Sequence, residues 1–191
     1  MNGINLFNPD FVIDCSTLED ASEVYNIMRS NGVSKMYCYT FSFREDNGNI
    51  ITIKIGESCP EPSSTTHGYV AERVGRQLAW LEGWGDQPKS DNGIDLSLNI
   101  KREIEKGTLP KYAIDKNRIV ISVWNLDSRP VQAVVKSDRN VTKWTEGKLA
   151  QDYKNSFKGT LPVLNYKDPT KNSEYTRKYV ALSHFNNLFK W

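Results

Sequence analysis

The clearest pattern of apolar and polar positions lies in residues 37–56, where two segments alternate with the period of a β-strand. The first segment has aromatic residues on one face and cysteine or small polar residues on the other, and the aromatic residues are Tyr37, Tyr39, Phe41 and Phe43. The second segment, residues 50–56, is rich in β-branched residues. Because Asn47-Gly48 between them favours a reversed turn, the pattern predicts an antiparallel hairpin.

Apolar residues recur at helical spacing in five further segments. These are residues 17–30, 69–84, 94–107, 138–155 and 173–189. We expect the first helix to begin at an N-cap formed by Ser16-Thr17. Residues 118–127 alternate again and predict a third strand in the same sheet, whereas residues 1–15 are expected to form an irregular or short extended arm. The sequence thus predicts an α/β (α+β) fold, with a small, mainly antiparallel sheet flanked by helices.

Composition narrows the class of protein without indicating a partner. The 191 residues are 38% hydrophobic and 25% charged, as in a soluble globular domain. The net charge of +2 is too small to indicate nucleic-acid binding, so a phosphate-binding face would have to be a local patch. Three cysteines without a CxxC pair indicate neither a disulfide framework nor a zinc knuckle. Since no apolar run reaches membrane-spanning length, we expect a cytoplasmic protein without membrane contact.

The order of short motifs in residues 37–77 is similar to that of a known protein family. The triplet Tyr37-Cys38-Tyr39 precedes a turn, the triplet Lys54-Ile55-Gly56 follows it, and Arg73 lies on the next predicted helix. This order resembles the GIY-YIG nuclease superfamily, with Tyr37-Cys38 in place of Gly-Ile and Lys54 in place of the second tyrosine. Further along, the residues that match the family's later pattern are Glu146, Leu149, Tyr153, Lys154 and Asn165.

The resemblance spans residues 35–165, interrupted by an insertion around residues 85–110, and it implies an endodeoxyribonuclease, a phosphodiester hydrolase. It assigns the general base to Tyr39, the phosphate contact to Arg73 and the ligand of Mg²⁺ or Mn²⁺ to Glu146. Substrate contacts are expected from Tyr37, Gly56, Arg76, Gln77 and Asn165. Arg76 stays open between a second phosphate contact and a solvated side chain, and His67 between a site residue and a solvated loop residue. Tyr37 stays open between packing and a share in ordering the attacking water.

Lys54 has a catalytic assignment of its own. A free phenol titrates near pH 10 and is a poor base at neutral pH. Strand alternation puts Lys54 on one face with Ile50, Thr52 and Gly56, and we expect that face to lie beside Tyr39. An ammonium group there would lower the pKa of Tyr39 or contact the phosphate. The simpler alternative is a lysine that lines an exposed sheet edge.

Duplex DNA is the expected partner, and sequence specificity would come from loops, from the added segments or from a homodimer. Residues 1–34 are expected to form an arm and helix packed on the core of residues 35–165, with residues 166–191 as a helical extension of one compact domain. Restriction, repair and phage degradative roles are not distinguished. Two alternatives stay open: a nucleic-acid-binding module that does not cleave, and an unrelated α/β interaction protein.

Overall fold

A computed structural model of the chain describes residues 4–20, 22–58, 96–127, 138–172 and 175. The helices in these ranges are α1 (Ser22–Ser30), α2 (Leu96–Glu105) and α3 (Asp138–Ser156). The strands are β1 (Phe11–Asp14), β2 (Tyr37–Arg44), β3 (Ile50–Ser58) and β4 (Ile119–Asn125). The strands form an antiparallel sheet in the order β1, β4, β2, β3, which confirms the predicted α+β fold.

The predicted hairpin of β2 and β3 is confirmed, but its register contains an irregularity. Tyr39 pairs with Gly56 and Phe41 with Lys54, whereas the next residue of β2, Ser42, pairs with Thr52. An extra residue in β3 therefore forms a bulge, and it shifts the side-chain alternation. The expected single face containing both Thr52 and Lys54 is wrong, because the bulge places them on opposite faces of the strand.

The N-terminal segment contributes more to the sheet than its sequence indicates. The third strand was predicted correctly as β4, and β1 pairs with its outer side where an irregular or short extended arm was expected. The first helix begins at Ser22, not at Thr17. Residues Cys15–Thr17 instead form a short 3-10 turn, because the Asp14 carboxylate accepts a hydrogen bond from the Ser16 amide. The predicted helices over residues 69–84 and 173–189 fall outside the described residues, apart from Tyr175.

Apolar residues cover both faces of the sheet. On one face, the aromatic residues of β2 pack with residues of α1 and α2, among them Met28 and Ile100. On the other face, Cys38, Ile55 and Trp124 pack against α3. The small residues of β2 are therefore buried as well, and the Cys38 thiol donates a hydrogen bond to a carbonyl of α3 over 3.4 Å. Burial on both faces fixes the positions of β2 and α3 relative to each other.

The outer edge of β3 is covered by the segment that follows α3. The Leu164 amide donates to the Ile53 carbonyl over 2.9 Å, and the Asn165 side chain bonds the backbone of Ile55. An edge strand otherwise presents unpaired backbone groups, so this contact both closes the edge and holds the segment in place. Among the described helices, none has the length and apolar character needed to span a bilayer.

Candidate active site

A cleft of about 620 Å³ opens along the β3 edge. Its walls come from β2, β3, α2, α3 and the segment after α3. Five residues singled out from the sequence line it together: Tyr39, Lys54, Gly56, Glu146 and Asn165. They come from four separate parts of the chain, and the hairpin, α3 and the segment that covers the edge bring them to one place.

The aromatic ring of Tyr39 reaches the cleft across its partner Gly56. A β carbon at position 56 would lie 2.6 Å from the Tyr39 hydroxyl oxygen, a distance that no real side chain tolerates. The ring is held edge-on by Phe41, with centroids 5.3 Å apart, and the Tyr39 residue is only 1% exposed. Gly56 is therefore needed here because it leaves room for the phenol beside the cleft.

Lys54 lies on the same face of the hairpin as Tyr39. It pairs with Phe41, two positions along β2 from Tyr39, so Lys54 and Tyr39 are diagonal neighbours. Diagonal pairs on a sheet lie within reach of long side chains. The half-buried lysine therefore brings a positive charge to the part of the cleft that holds the phenol.

Helix α3 supplies the opposite wall with both a carboxylate and an ammonium group. Glu146 and Lys143, three residues apart on one helical face, both line the cleft. Lys143 lies 3.4 Å from a carboxylate oxygen of Glu57, which belongs to β3. Burial raises the pKa of the Cys38 thiol well above its ordinary value, and the charges of Glu146 and Glu57 raise it further. Both carboxylates thus lie near the same buried thiol.

The Asn165 side chain binds the backbone at the edge of β3. Its Oδ1 accepts from the Ile55 amide and its Nδ2 donates to the Ile55 carbonyl, each over 2.8 Å. This pair of bonds mimics a neighbouring strand and satisfies two backbone groups of a buried residue. The Asn165 side chain therefore fixes the segment after α3 beside the cleft. The substrate contact predicted for Asn165 stays a prediction.

A second anchor ties that segment to α3. The Lys154 ammonium group donates to Asp168 Oδ2 over 2.7 Å and to the Thr170 hydroxyl over 3.1 Å. Asp168 in turn caps the 3-10 turn Pro169–Lys171. Burial raises the pKa of Asp168, but the hydrogen bonds from Lys154 and Thr170 outweigh it and hold this pKa below its ordinary value. The carboxylate is therefore charged at neutral pH and keeps the turn in place.

The other predicted site residues are not part of this arrangement. Tyr37 is fully buried in the core, with its ring 5.9 Å from that of Tyr39, and it is not one of the described residues that line the cleft. Arg73, Arg76, Gln77 and His67 lie outside the described residues. Their predicted roles stay predictions.

Several residues of the cleft were missed in the sequence. These are Asn99, Glu57, Lys143, Lys167 and Lys171. Lys143 could have been found, because a residue three positions before Glu146 shares its helical face. Glu57 directly follows the Lys54-Ile55-Gly56 triplet, but alternation puts it on the other face of β3, and only the closeness of α3 makes it part of the cleft. Nothing in the pattern of α2 distinguished Asn99 from a solvated residue.

The carboxylates of the cleft suit a divalent metal ion that keeps most of its bound water. No group of three or more His, Cys, Asp or Glu residues converges within the described ranges, so a cage built of protein ligands alone is not present there. Glu57 Oε2 is buried and has no hydrogen-bond partner among the described residues, and Glu146 lines the same cleft. Mg²⁺ is usually held by one or two carboxylates and keeps several waters. The carboxylates therefore fit Mg²⁺ or the similar Mn²⁺.

Comparison with models of known protein families, with curated proteins and with solved structures yields no match.

Proposed function

We propose that this chain is a divalent-metal-dependent endonuclease of the GIY-YIG type that hydrolyses phosphodiester bonds in DNA. The observation that carries the proposal is that residues with a phenol, an ammonium group and a carboxylate line one cleft, and they are Tyr39, Lys54 and Glu146. Each was singled out from the sequence for a role in one reaction, and the three border the same cavity. Hydrolysis of a phosphodiester needs an activated water, a polarised phosphate and a stabilised leaving oxygen.

Tyr39 would act as the general base that takes the proton of the attacking water. It can do so only as phenolate, and a nearby positive charge favours the phenolate. Lys54, its diagonal neighbour on the sheet, supplies that charge. The same ammonium group would also contact the phosphate oxygens and hold the substrate over the phenol. Arg73, which lies outside the described residues, stays the proposed contact to the scissile phosphate.

Glu146 would hold the metal ion, with Glu57 as the neighbouring carboxylate. When bound, Mg²⁺ supplies charge that stabilises the phosphate and the leaving oxygen. Lys143 neutralises one oxygen of Glu57 through their ion pair and leaves the other buried and unpartnered within the described chain. The pair joins β3 to α3 at the cleft, which both Glu146 and Tyr39 line.

Cleavage of supercoiled plasmid tests the proposal. Wild-type protein should convert the plasmid to nicked or linear DNA in Mg²⁺, and chelation of the metal should stop the reaction. Glu146→Gln and Arg73→Ala should abolish cutting, whereas Glu105→Gln should cut as fast as wild type, because Glu105 is an exposed glutamate of α2 that does not line the cleft. Wild-type protein that leaves the plasmid intact, or a Glu146→Gln variant that cuts normally, would contradict the proposal.

A second candidate function is a nucleic-acid-binding module that does not cleave. The observation that favours it is the burial of Tyr39, which is only 1% exposed, since a general base has to meet a water molecule. In the plasmid assay this function would appear as binding of the DNA without a change in its topology. The same preparation, assayed for both binding and cutting, separates the two functions.

A further inference from the structure

The segment that covers the β3 edge presents lysines to the cleft. Residues 164–172 form one wall, which we call the lysine wall, and within it Lys167 and Lys171 are exposed and line the cleft. The carboxylate of this wall, Asp168, is already paired with Lys154. Neither Lys167 nor Lys171 makes an ion pair with another described residue. The wall therefore carries two positive charges that the described protein does not neutralise.

The lysine wall is anchored near its start and in its middle. Asn165 bonds both backbone groups of Ile55, and the Lys154–Asp168 pair ties the middle of the wall to α3. Asp168 also caps the turn that ends at Lys171. Lysines on a wall held in this way lose less conformational freedom on binding than lysines on a free loop, so a greater part of their attraction for an anion appears as affinity.

The charge of the wall contrasts with that of the whole chain. The overall net charge is only +2, and in the rest of the cleft lining two positive side chains, Lys54 and Lys143, are equal in number to the negative ones, Glu57 and Glu146. A local excess of positive charge beside a cleft is the electrostatic pattern that suits a phosphate backbone. Asn99 adds an amide to the same cavity, and phosphate oxygens accept hydrogen bonds from such groups.

We infer that the lysine wall is the surface that binds the phosphate backbone of the substrate strand, through Lys167 and Lys171. This inference rests on the proposed function, because it assumes a nucleic acid as the ligand. The wall would bind the strand through electrostatic attraction to its phosphates, without recognising the bases. It would also position the strand for the catalytic groups of the cleft. Its contribution should therefore appear in affinity and in salt dependence, while the rate of the bound complex stays unchanged.

Binding of a labelled, mixed-sequence DNA duplex as a function of salt tests this inference. The titrations are made without divalent metal, so that no cutting occurs, and between about 50 and 200 mM salt. Lys167→Gln and Lys171→Gln should each weaken binding roughly two- to fivefold and reduce the slope of log affinity against log salt by about one. Lys167→Arg should keep the wild-type slope.

The matched control is Lys111→Gln, since Lys111 is exposed but lies outside the cleft, and it should bind as wild type does. In single-turnover cleavage, the two wall variants should need more protein for half-maximal rate and reach the same maximal rate. Wall variants whose affinity and salt slope equal those of wild type would overturn the inference, and so would a wild-type protein that does not bind the duplex. Salt-dependent binding through the wall without any cutting would contradict the proposed hydrolysis and leave this inference standing.

Discussion

The hydroxyl group of Tyr39 lies so close to the α carbon of Gly56 that a β carbon at position 56 would come within 2.6 Å of the hydroxyl oxygen. The two residues are direct partners in the antiparallel pairing of β2 and β3. A tyrosine paired with a glycine is thus what lets a phenol from an inner strand reach the cleft beyond the edge strand. The second triplet ends in glycine for a steric reason that involves the first triplet.

Gly56→Ala should destabilise the protein by about 1 to 3 kcal/mol, because the added methyl group overpacks a well-filled site. The free energy of unfolding, measured with a chemical denaturant, checks this. The cost should fall sharply when Gly56→Ala is introduced into a Tyr39→Ala background, since the clash is removed with the ring. Equal costs in the two backgrounds would show that Gly56 is not required by Tyr39.

Gly147, the residue after Glu146 in α3, makes a similar contact with Tyr175. A β carbon there would lie 2.5 Å from a ring carbon of Tyr175, which is buried. Alanine is the better helix former by about 1 kcal/mol, so helix propensity alone predicts that Gly147→Ala is stabilising. We expect the opposite sign in thermal or denaturant unfolding. In a Tyr175→Ala background the same substitution should become neutral or stabilising, and a stabilising effect in the wild-type background would contradict the described packing.

Asn165→Asp should destabilise the chain by about 1 to 3 kcal/mol, because an ionised carboxylate only accepts hydrogen bonds and would face the Ile55 carbonyl. Denaturant unfolding checks the loss. Asn117→Asp is the matched control, since Asn117 is exposed and does not line the cleft, and it should be nearly neutral. If both variants lost the same stability, the edge-covering role of Asn165 would be refuted.

Asp168 gives a pH-dependent prediction. Its pKa in the folded protein lies below the ordinary value near 3.9, so its contribution to stability is present above about pH 4 and is lost as the pH falls through the folded pKa. Asp168→Asn should therefore lower stability at pH 7, by about 1.5 to 3 kcal/mol, the magnitude typical of hydrogen bonds to a charged group. The difference from wild type should shrink as the pH drops below about 4. A difference that stays constant with pH would contradict the assignment.

Local patterns were sufficient to predict most of the described elements. The hairpin followed from its alternation and from Asn47-Gly48, and α2, α3 and β4 lie within one or two residues of their predicted ranges at most ends. The start of α1 was wrong because Asp14 caps a competing 3-10 turn. The bulge in β3 was not visible, since no glycine or other local signal marks it and the partner strand decides the register.

Residues of the cleft could be predicted from the sequence only where they belong to a local motif. Tyr39 and Gly56 face each other because hairpin pairing is local, whereas Glu146 was singled out only through the resemblance to the GIY-YIG pattern. Lys167 and Lys171 could not be found, because their place depends on the bonds between Asn165 and the edge of β3. Nothing in the sequence shows which edge a later segment covers.

The proposed role of Tyr39 is to activate water against a phosphodiester bound in the cleft. Single-turnover cleavage of a labelled duplex in Mg²⁺ by Tyr39→Phe checks this role, with Tyr112→Phe as the control, because Tyr112 packs against the core and is not among the residues that line the cleft. We expect Tyr39→Phe to bind the duplex as wild type does and to cleave it about 10² to 10⁴ times more slowly, while Tyr112→Phe cleaves normally. Cleavage by Tyr39→Phe at the wild-type rate would show that Tyr39 is not the general base.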